Sequence, residues 1–248
     1  FGVDLQGIDL QVRSGEVVGL AGVSGNGQRE LMWALSGEDT RSPAAAITLL
    51  GQSAGQLPPR ARRSLGLHFV PEERLGRGAV PSMSLAHNLL LTRSEALGAG
   101  GWIRMGALAD QARSIIERFK VKASGPDAAA RSLSGGNLQK FIVGREISAA
   151  PKLLIVSQPT WGVDVGAAAQ IRAEILALRD AGCAVLVVSE ELEELFEISD
   201  RLHVIAKGRL SPSLPRAEAT VALIGEWMSG LWPAAKAEMA QGAQHAQA

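Results

Sequence analysis

The chain has 248 residues with 25 basic and 25 acidic side chains, so it carries no basic field that would indicate nucleic-acid binding. Cys183 is its one cysteine, which excludes a disulfide framework and a cysteine-built metal site. The four histidines lie far apart in sequence, and no apolar run approaches the ~20 residues that a membrane-spanning helix needs.

The first part of the chain predicts strands, a glycine-rich loop and a helix in succession. Alternating apolar residues over Leu5–Val12 indicate one or two edge strands, and the apolar run Glu16–Ala21 is typical of a strand buried in a parallel sheet. The glycine-rich stretch Gly22–Glu30 follows, and helical spacing begins at Leu31. This order is the arrangement of a phosphate-binding loop.

The loop departs from the phosphate-loop pattern at two positions. The pattern has a lysine for the β- and γ-phosphates and then a hydroxyl for Mg²⁺, but this chain has Gln28 and Arg29. A hydrogen bond to a charged group contributes about 1.5–3 kcal/mol against about 1 for a neutral one. The backbone amides could still hold a phosphate, or the loop is a tight turn that binds nothing. The candidate nucleotide-binding residues are Gly22, Val23, Ser24, Gly25, Asn26, Gly27, Gln28 and Arg29.

The middle of the chain predicts a hairpin, a strand and three helices. Ile47–Leu50 indicates a hairpin, a helix includes Ala61–Leu65, and Leu67–Val70 reads as a short strand. Two further helical patterns are separated by a flexible break at Gly98–Trp102; they cover Ser84–Leu91 and Met105–Val121. These two helices form either part of an inserted helical subdomain or the surface of a single domain.

The stretch Arg131–Lys140 predicts an anion site at the start of a helix. Ser134 stands at the N-cap position, and Gly135 and Gly136 leave the first backbone amides bare. A helix that begins with uncovered N–H groups and a positive dipole end binds anions such as a terminal phosphate. Ser-Gly-Gly by itself is equally common as an ordinary turn before a helix, so the longer string carries the argument.

The last part of the chain continues the alternation of strands and helices. The predicted elements are the strand Pro151–Val156, the helix Ala168–Arg179, the strand Cys183–Val188, the helix Glu191–Ile198, a closing hairpin that begins at Arg201–Ala206, and the helix Ala217–Met228. The acidic run Glu190–Glu197 is typical of a solvated helix face. The Ala/Gln-rich stretch 231–248 has too little apolar diversity to pack, which predicts a disordered tail.

Arg131–Lys140 resembles the signature motif of ABC-transporter ATPases. Val70–Gly78 and Val156–Ala167 are similar to the second half of fused importer ATPases for simple sugars or nucleosides. The resemblance covers about Leu5 to Met228. It implies an α/β fold of the phosphate-loop type: a mainly parallel sheet with antiparallel edge strands and an inserted helical subdomain at about 73–150, in one domain over 1–230.

The resemblance also implies roles for single residues. Glu72 stands at the position of the glutamine that senses the γ-phosphate, and Asp164 belongs to the loop that crosses to a partner domain. Ser157 and Gln158 replace the Mg²⁺-binding aspartate and the catalytic glutamate, and Glu190 replaces a histidine that contacts the γ-phosphate. No catalytic residue and no metal ligand therefore remains in this domain. Trp161, at a usually polar position, packs either at a domain interface or over its own core.

Members of this family pair head to tail, with each ATP between one domain's phosphate loop and the other's signature. The resemblance implies that Ser134, Gly135, Gly136 and Asn137 complete a partner's ATP site, where Mg²⁺ would bind, while this domain binds ATP weakly or not at all. The implied partners are a second ATP-binding domain, permease subunits and, indirectly, a solute-binding protein, at the cytoplasmic face of the membrane. The opening at Phe1 suggests a piece of a longer polypeptide. The alternatives are a nucleotide-independent interaction module and, with less support, a stand-alone ATPase or kinase.

Overall fold

The structure is a computed structural model that describes residues 2–93, 98–99 and 102–233. The strands are β1 (Val17–Ala21), β2 (Thr48–Leu49), β3 (Gln52–Ser53), β4 (Leu67–Val70), β5 (Gly98–Ala99), β6 (Trp102–Ile103), β7 (Leu153–Ser157), β8 (Ala184–Ser189), β9 (Arg201–Ala206), β10 (Arg209–Leu210) and β11 (Leu214–Pro215). The helices are α1 (Gln28–Ser36), α2 (Pro59–Leu65), α3 (Leu85–Thr92), α4 (Met105–Arg118), α5 (Gly135–Ile147), α6 (Val165–Asp180), α7 (Leu192–Ile198) and α8 (Val221–Met228).

The main sheet has the spatial order β10, β9, β1, β8, β7, β4, with β11 also paired to β9. β9, β1, β8, β7 and β4 are parallel to one another, and β10 and β11 run antiparallel to β9. Every residue of β1 and β8 is buried. Such continuous apolar strands suit a sheet that is covered on both faces. The predicted α/β fold with a mainly parallel sheet and antiparallel edge strands is confirmed.

Four neighbouring strands place their following loops at one edge of the sheet. β1, β8, β7 and β4 are contiguous and parallel. They end at Ala21, Ser189, Ser157 and Val70, respectively. Since ligands of parallel α/β sheets bind beyond the carboxyl ends of the strands, this edge is where a site is expected.

The helical subdomain lies between two adjacent strands. The segment 71–152 leaves the sheet after β4 and returns at β7, and α3, α4 and α5 within it pack against one another. Leu108 and Ile115 of α4 are buried in the core that includes Leu138 of α5. Gly144 allows α5 to lie close to the end of α4, because an added Cβ would be 2.6 Å from the ring of Phe119, the residue after α4. These residues are the inserted helical subdomain of the predicted fold.

The prediction of edge strands at Leu5–Val12 is wrong. In the described residues, this segment pairs through one isolated bridge, between Gln6 and Arg209. Its apolar side chains are instead half-buried against the cluster that contains Leu20 and Leu31. The alternating pattern therefore reflects one-sided burial of a segment that forms no strand ladder among the described residues.

Two short hairpins form two-stranded sheets separate from the main sheet. The hairpin predicted at Ile47–Leu50 is present as β2 and β3. The break predicted at Gly98–Trp102 contains the paired strands β5 and β6, and residues 100 and 101 lie outside the described part. β11 has only two residues and no sequence signal, since Pro215 is one of them.

The C-terminal helix and the residues after it close one side of the sheet. α8 packs on β9, and Trp227 is buried. The tail boundary predicted at 231 is too early, because Trp232 is also buried in the core; residues 234–248 lie outside the described part. Among the described helices, none has the length and apolar character that crossing a bilayer requires.

Candidate functional site

The predicted phosphate loop lies between β1 and α1. Gly25 (φ +86°) and Gly27 (φ +108°) adopt left-handed backbone conformations that favour glycine. Gly27 is also the N-cap of α1 and offers no side chain to the helix start. The first turn of α1 therefore begins with bare amides, as an anion-binding loop requires.

Gln28 folds back into the loop. Its Nε2 donates to the carbonyl oxygen of Val23 at 2.8 Å, and its Oε1 accepts from the backbone N–H of Asn26 at 3.1 Å. Gly22 makes room for this contact, because an added Cβ there would lie 2.7 Å from the Gln28 amide. One of the amides predicted to hold a phosphate, that of Asn26, is thus used within the loop.

Arg29 does not provide the hydroxyl that a Mg²⁺ site would need. Its guanidinium lies 5.0 Å from the ring centroid of Trp33 and 3.6 Å from the carboxylate of Glu30. Its side chain is 59% exposed, so the ion pair with Glu30 contributes little.

Ser157 and Gln158 form the opposite wall, at the end of β7. Gln158 has a left-handed backbone (φ +50°), and its N–H donates to Val188 at 2.8 Å. Its side-chain Oε1 lies 3.4 Å from both the Ser189 hydroxyl and the Glu190 N–H. The position of the expected base is therefore held by a neutral amide that faces the loop after β8.

Glu194 corrects the prediction of a solvated acidic face at Glu190–Glu197. It is 4% exposed, and the Thr160 hydroxyl donates to its carboxylate at 2.6 Å. Burial raises the pKa of Glu194, although hydrogen bonds from Thr160 and Ser189 oppose that shift. The periodicity of the run does not reveal this, because Glu194 faces the loop after β7.

A cavity of about 300 Å³ lies between these segments. Among its described lining residues, four carry carboxylates and Arg29 alone carries a cation; the acidic ones are Glu30, Glu72, Glu73 and Glu190. Burial raises the pKa of Glu72, and Glu190 and Glu73 raise it further, while Arg29 lowers it. The cavity is therefore electrostatically unfavourable for the phosphates of a nucleotide.

The residues of this cavity do not fit Mg²⁺. Ser157 supplies only a neutral hydroxyl at the position of the expected carboxylate, and Arg29 holds a positive charge beside it. In the described part of the chain, no group of three His, Cys, Asp or Glu residues is arranged to hold a metal ion.

The signature turn, Ser134–Asn137, lies outside this acidic cavity and is capped by a serine side chain. Ser134 is the N-cap of α5, and its Oγ accepts from both the backbone N–H and the side-chain Nδ2 of Asn137. Asn137 Oδ1 in turn accepts from Lys122 N–H at 2.8 Å. The N–H groups of Gly135 and Gly136 make no hydrogen bond within the described residues. None of the four residues lines the acidic cavity as described.

Glycines bring the signature turn against the loop after β7. A Cβ added to Gly136 would lie 2.6 Å from the carbonyl oxygen of Gly162. Asp164 is the N-cap of α6 and accepts from Ala167 N–H at 2.9 Å, and its carboxylate lies 3.9 Å from Lys140 Nζ. Trp161 is 56% exposed, which rules out the prediction that it covers its own core.

The far end of α5 is fixed by a buried charge cluster that the sequence analysis missed. Glu146 is fully buried and contacts Arg63 and His68 at 2.8 Å each, and Arg145 at 2.8 Å. Burial alone would raise the pKa of Glu146, but Arg145, Arg63 and the hydrogen bond from His68 hold it well below its usual range. The cluster joins α5 to α2 and β4, and no sequence pattern pairs residues that are 78 or 83 positions apart.

A family model described as ABC transporter matches residues 5–161. The chain belongs to the ABC transporter family. It is 42% identical over 230 residues to the glucose import ATP-binding protein TsgD13 of Haloferax volcanii. That match covers 91% of this chain and 42% of that protein. It is 40% identical over 225 residues to the guanosine import ATP-binding protein NupO of Bacillus subtilis, with 90% of this chain and 44% of that protein covered. The chain thus spans less than half the length of these relatives.

Solved ABC structures share the fold. An ATP-binding subunit of an ABC transporter superposes with a TM-score of 0.73 at 18% identity, covering 91% of this chain and 92% of that one. A dimeric ATP-binding cassette in a post-hydrolysis state bound to ADP and phosphate gives a TM-score of 0.72 at 17% identity, covering 86% and 90% of the two chains. At these identities the likeness establishes the fold of this ABC domain and no residue role.

Proposed function

We propose that this ABC domain is the non-hydrolysing ATP-binding half of an importer for simple sugars or nucleosides. The import class is supported by relatives named for glucose and guanosine import, which match over about 90% of the chain. Because the chain spans under half of those proteins, it corresponds in length to one half of a fused subunit. The partner ATP-binding domain is then the other half of the same polypeptide.

The contrast between the two glycine-rich segments carries this proposal. The loop Gly22–Arg29 is bonded to its own Gln28 and faces four carboxylates. The signature turn presents the unbonded N–H groups of Gly135 and Gly136 at the positive end of a 13-residue helix. One segment repels a phosphate and the other accepts one, so the domain contributes to a nucleotide site in trans.

The signature turn would act by binding and orienting the terminal phosphate of ATP held by the partner. The Ser134 hydroxyl and the amides of Gly135 and Gly136 would donate to phosphate oxygens, which lowers the energy of the charge that develops on them during transfer. Asn137, bonded to Lys122 N–H, holds Ser134 at the helix start. Mg²⁺ and the group that activates water would come from the partner's site.

The location and remaining partners follow from this assignment. The domain would lie at the cytoplasmic face of the membrane as a peripheral subunit, in contact with transmembrane permease subunits. A periplasmic or lipoprotein solute-binding protein would act on it only through those permeases. The solute would be selected by those partners.

Substitution of Ser134 in the assembled transporter tests the proposal. Ser134→Ala should lower ATP turnover by about 100-fold or more, the size of effect found when one donor to a reacting oxyanion is removed. Ser132→Ala is the matched control, because Ser132 is exposed and its Oγ donates locally to the Ala129 carbonyl. Ser134→Asn retains an N-cap side chain and separates loss of the hydroxyl from unfolding of the helix start. Unchanged turnover in Ser134→Ala would contradict the proposal.

Nucleotide binding by the isolated chain tests the other half of the proposal. Calorimetry with ATP, with and without Mg²⁺, should detect no binding or weak binding that Mg²⁺ does not strengthen, and no hydrolysis. The double variant Gln28→Lys with Arg29→Ser should bind ATP more tightly and still not hydrolyse it, because Ser157 and Gln158 remain. Mg²⁺-dependent hydrolysis by the unmodified chain would support a stand-alone ATPase instead.

The internal bonding of Gln28 also favours a second candidate, an interaction module that uses the ABC fold without nucleotide. In that candidate, the loop Gly22–Arg29 is likewise bonded to its own Gln28, but the signature turn binds no ligand. It predicts that pairing with the partner domain is independent of ATP. Sedimentation of the pair with and without ATP distinguishes the two, since the main proposal requires ATP at the shared interface.

A further inference from the structure

Arg74 lies where three functional segments meet. It follows β4 by four residues, and its Nε donates to Gln139 Oε1 on α5 at 3.1 Å. Its Nη2 donates to the carbonyl oxygen of Trp161, and its guanidinium lies 5.0 Å from the centroid of the Trp161 ring. A single side chain thus joins the loop after β4, the signature helix and the loop after β7.

Gln139 extends this connection toward the acidic cavity. It is 2% exposed, and its Nε2 donates to the carbonyl oxygens of Gln158 at 3.2 Å and Pro159 at 3.1 Å. Gln158 lines the cavity, as does Glu72, two residues before Arg74. The network therefore runs from the wall of the domain's own cavity to the helix that begins at the signature turn.

Two glycines give Arg74 its place beside the signature turn. An added Cβ would lie 2.7 Å from Arg74 Nη1 at Gly135 and 3.1 Å from Nη2 at Gly162. Both positions lie in segments that approach the guanidinium through their backbones. The absence of a side chain at Gly135 and Gly162 therefore leaves room for the Arg74 guanidinium beside the signature turn.

Among the described residues, no carboxylate forms an ion pair with Arg74. Within the part of the chain that the structure describes, its hydrogen-bond partners are a side-chain amide and a carbonyl oxygen. Burial lowers the pKa of its guanidinium, and no carboxylate offsets that effect. The contacts of this half-buried arginine with neutral acceptors use its fork of directional donors, which lysine lacks.

We propose that Arg74 is a positioning residue that fixes the signature turn relative to the edge of the sheet at which β4 and β7 end. This inference rests on the proposed function, since it assigns to Arg74 the geometry of the turn offered to the partner's ATP. Arg74 acts through Gln139 and the Trp161 carbonyl and contacts no nucleotide. A helix start displaced by about 1 Å can lower a rate about 100-fold.

Steady-state kinetics of the assembled transporter provide the functional test. Arg74→Met should lower kcat about 10- to 100-fold with KM for ATP changed less than about twofold, because the partner's loop still binds the nucleotide. Arg74→Lys should recover little, since it cannot donate to two acceptors in fixed directions. Arg113→Met is the control, because Arg113 is an exposed arginine of the same subdomain that forms an ion pair with Asp110 three residues before it. A normal kcat in Arg74→Met overturns the inference, as does full recovery in Arg74→Lys.

A distance measurement on the isolated chain separates this inference from the proposed function. Spin labels at Ser64→Cys and Ser132→Cys, both exposed sites, report the position of the signature region relative to α2 after the buried Cys183 is replaced by alanine. Arg74→Met should broaden or shift the distance distribution, and Arg113→Met should not. An unchanged distribution overturns the positioning role, whereas a changed one supports it even if Ser134→Ala shows that the turn has no part in ATP turnover.

Discussion

The phosphate loop and the signature turn begin as similar pieces of sequence and end with opposite properties. Both are glycine-rich segments that open a helix, α1 or α5. In the loop, the Gln28 carboxamide bonds to one amide and one carbonyl group, and carboxylates from α1 and from the loops after β4 and β8 line the cavity beside it. In the signature turn, a serine caps the helix and the next two amides stay unbonded.

The comparison shows that an anion site depends on its surroundings as much as on its glycines. Bare amides supply partial positive charge in both segments. In the loop this is opposed by Glu72 and Glu190, which reach the cavity from the ends of β4 and β8. Beside the signature turn the charged neighbour is the cation Arg74.

The largest effect is expected at the buried end of the signature helix. Glu146→Gln should lower the free energy of unfolding by about 3–5 kcal/mol, because it leaves the charges of Arg63 and Arg145 buried without a carboxylate. Urea denaturation followed by circular dichroism measures this. Glu197→Gln is the control, since Glu197 forms an ion pair with Arg172 at the surface and its loss should cost less than about 1 kcal/mol.

The same cluster predicts a pH dependence. The folded-state pKa of Glu146 is lowered, so its contribution to stability is present at neutral pH, above the pKa of the unfolded carboxyl. It is lost as the pH falls through the lowered value, in strong acid. Equal losses for Glu146→Gln and Glu197→Gln at neutral pH would show that the cluster does not anchor α5.

The second prediction compares the two glycines of the signature turn. Gly136→Ala should lower ATP turnover of the assembled transporter about 100-fold, because its Cβ would press on the backbone oxygen of Gly162 and shift the turn. Gly135→Ala should have a smaller effect, since its Cβ meets the end of the flexible Arg74 side chain. The reverse order of the two effects would contradict the arrangement described for this turn.

Much of the fold could be predicted because a buried strand is a short, continuous run of apolar residues. Continuous apolar runs predicted the bounds of β1, β7 and β8 to within two residues. The failure at Leu5–Val12 has a physical cause: alternation reports which side chains are buried, not whether a neighbouring strand is present to complete a ladder. β11 has two residues, which is too short for any periodic signal.

The site was predicted in its parts but not in its connections. Residue types at known spacings pointed to Gln28, Gln158 and Glu190, and these three line one cavity. The bonds of Gln28 within its own loop, and those of Arg74 to Gln139 and Trp161, join residues that no pattern pairs. For Arg74 the one available signal was its place in the stretch Val70–Gly78, where the resemblance drew attention to Glu72 instead.

The third prediction concerns the acidic wall. Because the pKa of Glu72 is raised, Glu72 takes up a proton at a higher pH than an ordinary glutamate, and the cavity becomes less negative as the pH falls through that raised pKa. ATP should then bind more tightly at the lower pH. Glu72→Gln should strengthen binding about three- to tenfold at pH 7 and reduce this pH dependence. Comparing variant and parent at each pH by calorimetry cancels the titration of ATP itself, and equal affinities throughout would contradict the electrostatic explanation.

The smallest effect is expected at Asp164, in the loop after β7 that contacts the signature turn. As the N-cap of α6, its carboxylate accepts from Ala167 N–H, and this hydrogen bond lowers its pKa, so the cap is present at neutral pH and lost in acid. Asp164→Ala should lower Tm by a few degrees and Asp164→Ser should restore it, because serine caps a helix equally well. If Asp164 also contacts the partner domain, ATP turnover of the assembled transporter stays low in Asp164→Ser although its Tm is normal. If turnover and Tm recover together, the cap accounts for the whole effect of Asp164.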